Sequence, residues 1–124
     1  MPNYPNEMQV VHSTDASGEV MVLGLLGDLD LSNVPALRSA GMQLLSDGWN
    51  RIVVDLAGVE FLDSAGMGVL IGLRRRCLGA DGECVLAIPN TDVLRILETS
   101  EVAGLFRVYE SADSAVASIR GAKP

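Results

Sequence analysis

The chain has 124 residues, 48% of them hydrophobic, and its nine basic and sixteen acidic side chains give a formal net charge of −7. This length fits one domain, and the acidic balance argues against a nucleic-acid partner, whose phosphates need a cationic surface. No apolar run approaches the ~20 residues of a membrane span, and the first residues lack the pattern of a secretory signal. We therefore expect a cytoplasmic protein without a membrane partner.

Five strands are predicted from short apolar, β-branched segments that lie between turn residues. The first two are separated by a short turn through Asp15 and Gly18, which favours an antiparallel pair. The later strands alternate with helical segments, which is typical of a parallel sheet. The predicted strands cover residues 8–11, 19–26, 52–56, 84–88 and 107–109.

Four helices are predicted from apolar residues at i, i+3 and i+4 spacing. Pro35 is tolerated because it falls in the first turn of its helix. Each helix begins at a side chain that can cap it, and these are Ser32 or Asn33, Asp63, Asn90 or Thr91, and Ser111. Together the elements predict a single α/β domain over residues 8–120, with flexible termini at residues 1–7 and 121–124.

Residues 59–70, VEFLDSAGMGVL, carry the most informative pattern in the chain. Asp63 is a good N-cap, so Ser64 is expected in the first turn of the following helix. There its hydroxyl would lie near unpaired backbone N–H groups and the positive end of the helix dipole. Helix N-termini are natural anion sites, so a phosphate on Ser64 would be tolerated locally.

Three glycines, Gly66, Gly68 and Gly72, lie inside this predicted helix. Each costs about 1 kcal/mol relative to alanine in a helix interior. Such a concentration indicates close approach of another backbone, either in the sheet beneath the helix or in a partner above it. For Gly72 we expect packing against the sheet.

The segment around Ser64 resembles the signature Asp-Ser-(Ser/Ala)-Gly-(Leu/Met)-Gly loop of STAS-domain anti-sigma-factor antagonists. Residues 27–30, GDLD, are followed by a capped helix and resemble that family's Gly-Glu-(Leu/Ile)-Asp segment. Residues 53–56, VVDL, resemble its central strand. The resemblance extends from about Val20 to Ile119. It implies a STAS-like mixed, mostly parallel sheet of about five strands, with an initial antiparallel hairpin and about four helices.

The resemblance implies that this chain acts in a partner switch. It also implies that the chain is a binding protein and not an enzyme. In that family the unmodified antagonist binds an anti-sigma factor that is also a serine kinase, and the sigma factor is freed. The kinase then phosphorylates the loop serine, the antagonist dissociates, and a phosphatase resets the switch. Ser64 takes the phosphorylated position, and Ala65 stands where the family often has a second serine. The implied partner-binding residues are Asp30, Asp63, Ser64, Ala65, Gly66 and Met67.

Two other classes of function stay open. One is a STAS subunit of another assembly, such as a stress-signalling complex or a lipid-transport system. The other is a small enzyme or ligand-binding domain. The residues give the enzyme little support, because no GxSxG nucleophile elbow occurs and Lys123, the only lysine, cannot serve a phosphate loop.

The cysteines and the arginines at residues 74–76 say less about function than the segment around Ser64 does. Cys77 and Cys84 form no CxxC and have no histidine nearby, so we expect two core residues and neither a metal nor a cofactor. The arginine run at residues 74–76 is expected mainly as a solvated face. A contact with an acidic partner surface stays open for it.

Overall fold

A computed structural model describes residues 7–120, and its strands follow one another in chain order across a single sheet. They are β1 (Gln9–Thr14), β2 (Met21–Leu26), β3 (Arg51–Gly58), β4 (Glu83–Ala87) and β5 (Val108–Tyr109). β1 pairs with β2 antiparallel, and the other neighbouring pairs are parallel. The predicted mixed sheet with an initial antiparallel hairpin is therefore confirmed.

Helices connect the parallel strands, as the sequence pattern predicts. They are α1 (Val34–Ser46), α2 (Ser64–Gly79), α3 (Thr91–Glu98) and α4 (Ala112–Ile119), with a short 3-10 turn at Ala103–Leu105. The predicted α/β class is confirmed. The expectation of flexible termini falls mostly on residues 1–6 and 121–124, which lie outside the described residues.

The sheet separates two apolar clusters, because successive side chains of a strand point to opposite faces. On β4, Cys84 and Leu86 belong to the larger cluster, which α1, α2 and α3 cover. Val85 and Ala87 belong to the smaller cluster, which α4 covers. The loops after β2 and β3 lead into α1 and α2 on this face; the first carries Asp30 and the second carries Asp63.

Strand β1 is longer than its apolar residues predict. It begins at Gln9 and runs to Thr14, and His12 and Ser13 pair with Leu23 and Val22 of β2. These polar residues show no alternating pattern because β1 is an edge strand whose last four residues are exposed on both faces. The strand predicted over residues 8–11 is therefore present, but it continues past Val11 to Thr14.

The capping predictions differ in outcome from helix to helix. The side chains of Asp63, Asn90 and Ser111 accept hydrogen bonds from first-turn N–H groups, which confirms those caps. Asn33 occupies the N-cap position of α1 but makes no capping bond. Its Oδ1 instead accepts from the N–H of Met8 at 3.1 Å, and its Nδ2 donates to the carbonyl of Asp28 at 2.7 Å. This buried amide fixes the loop after β2 instead of the helix end.

Candidate functional site

The loops after β2 and β3 lie side by side at the carboxyl edge of the sheet. The N–H of Leu29 donates to the carbonyl of Phe61 at 2.9 Å, and the N–H of Asp63 donates to the carbonyl of Leu29 at 3.2 Å. The two loops thereby form one parallel bridge, between Leu29 and Leu62, whose side chains are both buried. This bridge brings the segments that carry Asp30 and Asp63 together.

The carboxylate of Asp63 joins these two loops to α2. Its Oδ1 accepts from the N–H of Gly66 at 2.9 Å, which caps the helix, and its Oδ2 accepts from the N–H of Leu31 at 3.1 Å. Its backbone carbonyl also accepts from the N–H of Met67 at 3.0 Å. Both side-chain oxygens are thus used within the chain, so this carboxylate orders the loop before any partner arrives.

Removal of this carboxylate should lower stability measurably. We expect Asp63→Ala to reduce the free energy of unfolding by about 1–3 kcal/mol, because it removes a cap and a hydrogen bond between loops. Asp63→Asn should cost less, since an amide oxygen still caps Gly66 while the amide nitrogen cannot accept from Leu31. Urea unfolding would measure both variants. Asp113→Ala, at an exposed first-turn acid that caps no N–H group, serves as the control, and equal losses in all three variants would contradict the assignment.

Ser64 is the first residue of α2, and its side chain is exposed. Between residues 7 and 120 no group forms a hydrogen bond with its hydroxyl. The N–H groups of Ser64 and Ala65 belong to the first turn and have no acceptor within the helix, and that turn contains no acidic residue. The hydroxyl is therefore accessible to an enzyme and lies where an added anion would be stabilised.

Ala65, Gly66 and Met67 differ in exposure. Ala65 and Met67 are half-buried and pack against the larger cluster. Gly66 is buried, and a Cβ at this position would collide with the carbonyl oxygen and side chain of Leu29. The missing side chain of Gly66 therefore allows the bridge between the two loops to form.

Asp30 lies in the loop between β2 and α1 and is half-buried. Its Oδ1 accepts from both the N–H and the hydroxyl of Ser32, at 3.1 and 2.6 Å. Its backbone carbonyl accepts from the N–H groups of Asn33 and Val34. Its Oδ2 takes no hydrogen bond from the described part of the chain, so one carboxylate oxygen beside the bridge is free to meet a partner.

Two apolar side chains at this edge were not among the predicted contact residues. Leu31 is 72% exposed and Phe61 is 46% exposed, and both belong to the bridged loops. The available signal in the sequence was an apolar residue within a predicted loop, Leu31 between Asp30 and Ser32 and Phe61 after Glu60. Which of the adjacent Phe61 and Leu62 is exposed follows only from the structure. Exposed apolar groups beside an ordered polar loop are typical of a protein-binding surface.

The prediction for Gly72 was wrong. A Cβ at Gly72 would meet nothing within 4 Å, and the same holds for Gly68. Gly72 lies about 240° around the helix from Gly66, so the two glycines cannot face the same neighbour. Of these three glycines, only Gly66 approaches the backbone of another segment within the described residues.

The two cysteines are free and buried in the larger cluster. A hydrogen bond with Cys77 and burial in the core raise the pKa of the Cys84 thiol. Within residues 7–120 no three side chains of the His, Cys, Asp and Glu types come together in a way that could hold a metal ion. Over the same range, the structure contains no helix with the length and apolar character needed to span a membrane.

Known proteins resemble this chain in both sequence and fold. The anti-sigma-F factor antagonist RsfB of Mycobacterium tuberculosis is 26% identical over 104 residues, which cover 84% of this chain and 84% of RsfB. The crystal structure of an anti-sigma factor antagonist from Mycobacterium paratuberculosis is 25% identical, with a TM-score of 0.78 over 96% of this chain and 99% of that one.

The phosphorylated form of the Bacillus cell fate determinant SpoIIAA shares the fold, with a TM-score of 0.66 and 20% identity over 90% of this chain and all of that one. The family model of the STAS domain matches residues 11–115. Since that match spans most of the chain and the element order agrees, the chain belongs to the STAS domain family.

Proposed function

We propose that this chain is an anti-sigma factor antagonist that is switched off by phosphorylation of Ser64. The unmodified chain binds an anti-sigma factor with serine kinase activity in the cytoplasm, and the sigma factor is released. The kinase then phosphorylates Ser64, the complex dissociates, and a phosphatase restores the binding form. In this proposal residues 8–120 act as a binding module without enzymatic activity of their own.

The observation that carries the proposal is the position of the Ser64 hydroxyl. It is exposed at the start of α2, makes no hydrogen bond to the described residues, and lies where the helix dipole favours a negative group. Neighbouring hydroxyls do not compete for a kinase, because Ala65 follows and Asp63 precedes. The site therefore fits a modification that leaves the fold intact.

The surroundings of Ser64 fit a protein partner better than a small substrate. Exposed Leu31 and Phe61 flank the bridged loops, and the free oxygen of Asp30 lies beside them. Such a mixture of apolar side chains and fixed polar groups is typical of the centre of a protein interface. The partner-binding residues proposed are Asp30, Asp63, Ser64, Ala65, Gly66 and Met67.

Relatives support the choice of partner. RsfB is named an anti-sigma-F factor antagonist, and the crystal structure with the same fold is that of an anti-sigma factor antagonist. SpoIIAA, which has the same fold, is known in a phosphorylated form. An anti-sigma factor is therefore the partner that we propose for this chain.

The direct test is phosphorylation with purified components. The full chain would be incubated with Mg-ATP and each serine-kinase anti-sigma factor encoded in the same genome, and intact mass would be recorded. We expect one added phosphate, which peptide fragmentation assigns to Ser64. Ser64→Ala should bind the kinase but gain no phosphate, whereas Ser114→Ala, at an exposed serine in the first turn of α4, should be modified normally.

Two results would contradict the proposal in different ways. Phosphate on another residue would remove Ser64 from its role while leaving the partner class intact. Absence of both binding and phosphorylation would favour the alternative, a STAS subunit of another assembly.

A further inference from the structure

A groove of about 190 Å³ lies between α1 and α2 on the outer side of the helical layer. Leu37 and Leu73 contribute apolar surface to it, and Gly68 and Gly72 contribute bare backbone. Arg38 from α1 and Arg76 from α2 also line it. The groove lies outside the bridged loops described above, although it shares α2 with Ser64.

Two of the three glycines that line this groove, Gly68 and Gly72, have no packing reason within the described residues. At Gly41, the third, a Cβ would lie 3.0 Å from the end of the Leu73 side chain, so a larger residue would require Leu73 to shift. At Gly68 and Gly72 a Cβ would meet nothing within 4 Å. Both lie in the interior of α2, where glycine is among the poorest helix formers. The absence of side chains at Gly68 and Gly72 is explained if a binding partner packs against the helix backbone there.

The two arginines that line the groove form no ion pair with acidic side chains of the described residues. Four other arginines form ion pairs with acidic side chains, namely Arg51, Arg74, Arg95 and Arg107. Arg38 and Arg76 are exposed and form no ion pair or side-chain hydrogen bond with residues 7–120. Two cations without partners thus line one groove of a chain whose net charge is −7.

The arginines at residues 74–76 differ in their surroundings, because successive residues of a helix point about 100° apart. Arg74 pairs with Glu83, with 3.5 Å between Nε and Oε1. Arg74 and Arg75 both line a smaller cavity next to Leu105, whereas Arg76 lines the groove. Arg75 and Arg76 are exposed, as expected for a mainly solvated face, and of the three only Arg76 shares a cavity with Arg38.

We propose that the groove binds an acidic segment of the same anti-sigma factor, an inference that rests on the proposed function. A carboxylate of that segment pairs with Arg38 and Arg76, and its backbone packs against Gly68 and Gly72. Gly68 lies about one helical turn from Ser64, so a partner that covers Ser64 extends directly into the groove. This continuity and the complementary charge favour a protein segment over a free small anion.

Charge reversal tests the proposal. Binding of the unphosphorylated full chain to the anti-sigma factor would be measured by isothermal titration calorimetry for Arg38→Glu, for Arg76→Glu and for the double variant. We expect each single variant to lose roughly tenfold in affinity, and the remaining binding to depend less on salt. Arg95→Glu, at an exposed arginine of α3, is the matched control and should change affinity by less than about twofold.

A glycine variant separates loss of binding from loss of folding. Gly72→Ala should raise the melting temperature by about 2–6 °C, because alanine favours the helix and meets no neighbour. The same variant should weaken binding by roughly threefold or more, since its methyl group occupies space that the partner needs. A chain that is more stable and yet binds less tightly cannot be explained by unfolding.

The outcomes distinguish this proposal from the function on which it rests. If the unsubstituted chain binds and is phosphorylated, while both arginine variants and Gly72→Ala bind within about twofold of it, the groove proposal fails alone. If the unsubstituted chain binds none of the anti-sigma factors, the proposed function fails and takes the groove proposal with it.

Discussion

Phosphorylation of Ser64 is expected to weaken binding of the anti-sigma factor by roughly tenfold to several thousandfold. The phosphate adds about −1.5 to −2 charges at neutral pH. At ~6 Å from an acidic group of the partner, an effective dielectric constant between 20 and 80 gives about 1–5 kcal/mol of repulsion. Calorimetric titration of the enzymatically phosphorylated chain against the unmodified chain would measure the difference.

A single negative charge should have a smaller effect at the same position. Ser64→Asp should weaken binding by about threefold to hundredfold, whereas Ser64→Ala should bind nearly as tightly as the unsubstituted chain. Ser114→Asp adds the same charge to the first turn of α4, beneath the other face of the sheet, and should leave affinity unchanged. If the phosphorylated chain bound as tightly as the unmodified one, Ser64 would have no switching role.

The fold should survive these changes at Ser64. The side chain is exposed, and a negative charge at the first residue of a helix interacts favourably with the dipole, by about 0.3–1 kcal/mol. Melting curves of the phosphorylated and Ser64→Asp chains should therefore match that of the unsubstituted chain or lie slightly above it. A large drop in melting temperature would mean that lost affinity reports unfolding and not a switch.

Gly66→Ala is expected to produce the largest loss of stability among the glycines of α2. Its methyl group would collide with the carbonyl oxygen of Leu29, so the loops after β2 and β3 would have to separate. Separation weakens the bond from the N–H of Asp63 to that same carbonyl and disturbs the buried bridge between Leu29 and Leu62. We expect a loss of about 2–4 kcal/mol, measured by urea unfolding.

Gly68→Ala provides the matched control two residues away in the same helix. A Cβ there meets nothing within 4 Å, so the better helix propensity of alanine should stabilise the chain by up to about 1 kcal/mol. The two substitutions are chemically identical and should change stability in opposite directions. Equal effects would show that the close approach to Leu29 does not constrain the loop.

Most of the fold could be predicted from the sequence, because helices and strands are indicated by residues that lie close together along the chain. Apolar periodicity and the caps at Asp63, Asn90 and Ser111 placed three helices with starts that the structure confirms. The extent of β1 did not follow, because its length is set by pairing with β2 and not by its own apolar residues. Edge strands that are exposed on both faces leave little pattern to read.

In the candidate site, the sequence likewise predicted the features that depend on neighbouring residues and not those that depend on distant ones. The position of Ser64 and the cap at Asp63 depend on neighbouring residues only, whereas the bond from Leu31 to Asp63 joins residues 32 positions apart. The side chain of Asn33 likewise serves Met8 and Asp28 through contacts that only the folded chain creates. Spacing alone therefore could not show that Asn33 serves the loop instead of capping its helix, or that Asp63 does both.

The order of the strands has a consequence for how the protein emerges from the ribosome. Each strand pairs with the one made just before it, so the sheet can grow in the order of synthesis and no later strand must insert between earlier ones. Asp30, Asp63 and Ser64 all precede β4. The surface around Ser64 can thus begin to assemble while the residues from β4 onward are still being translated.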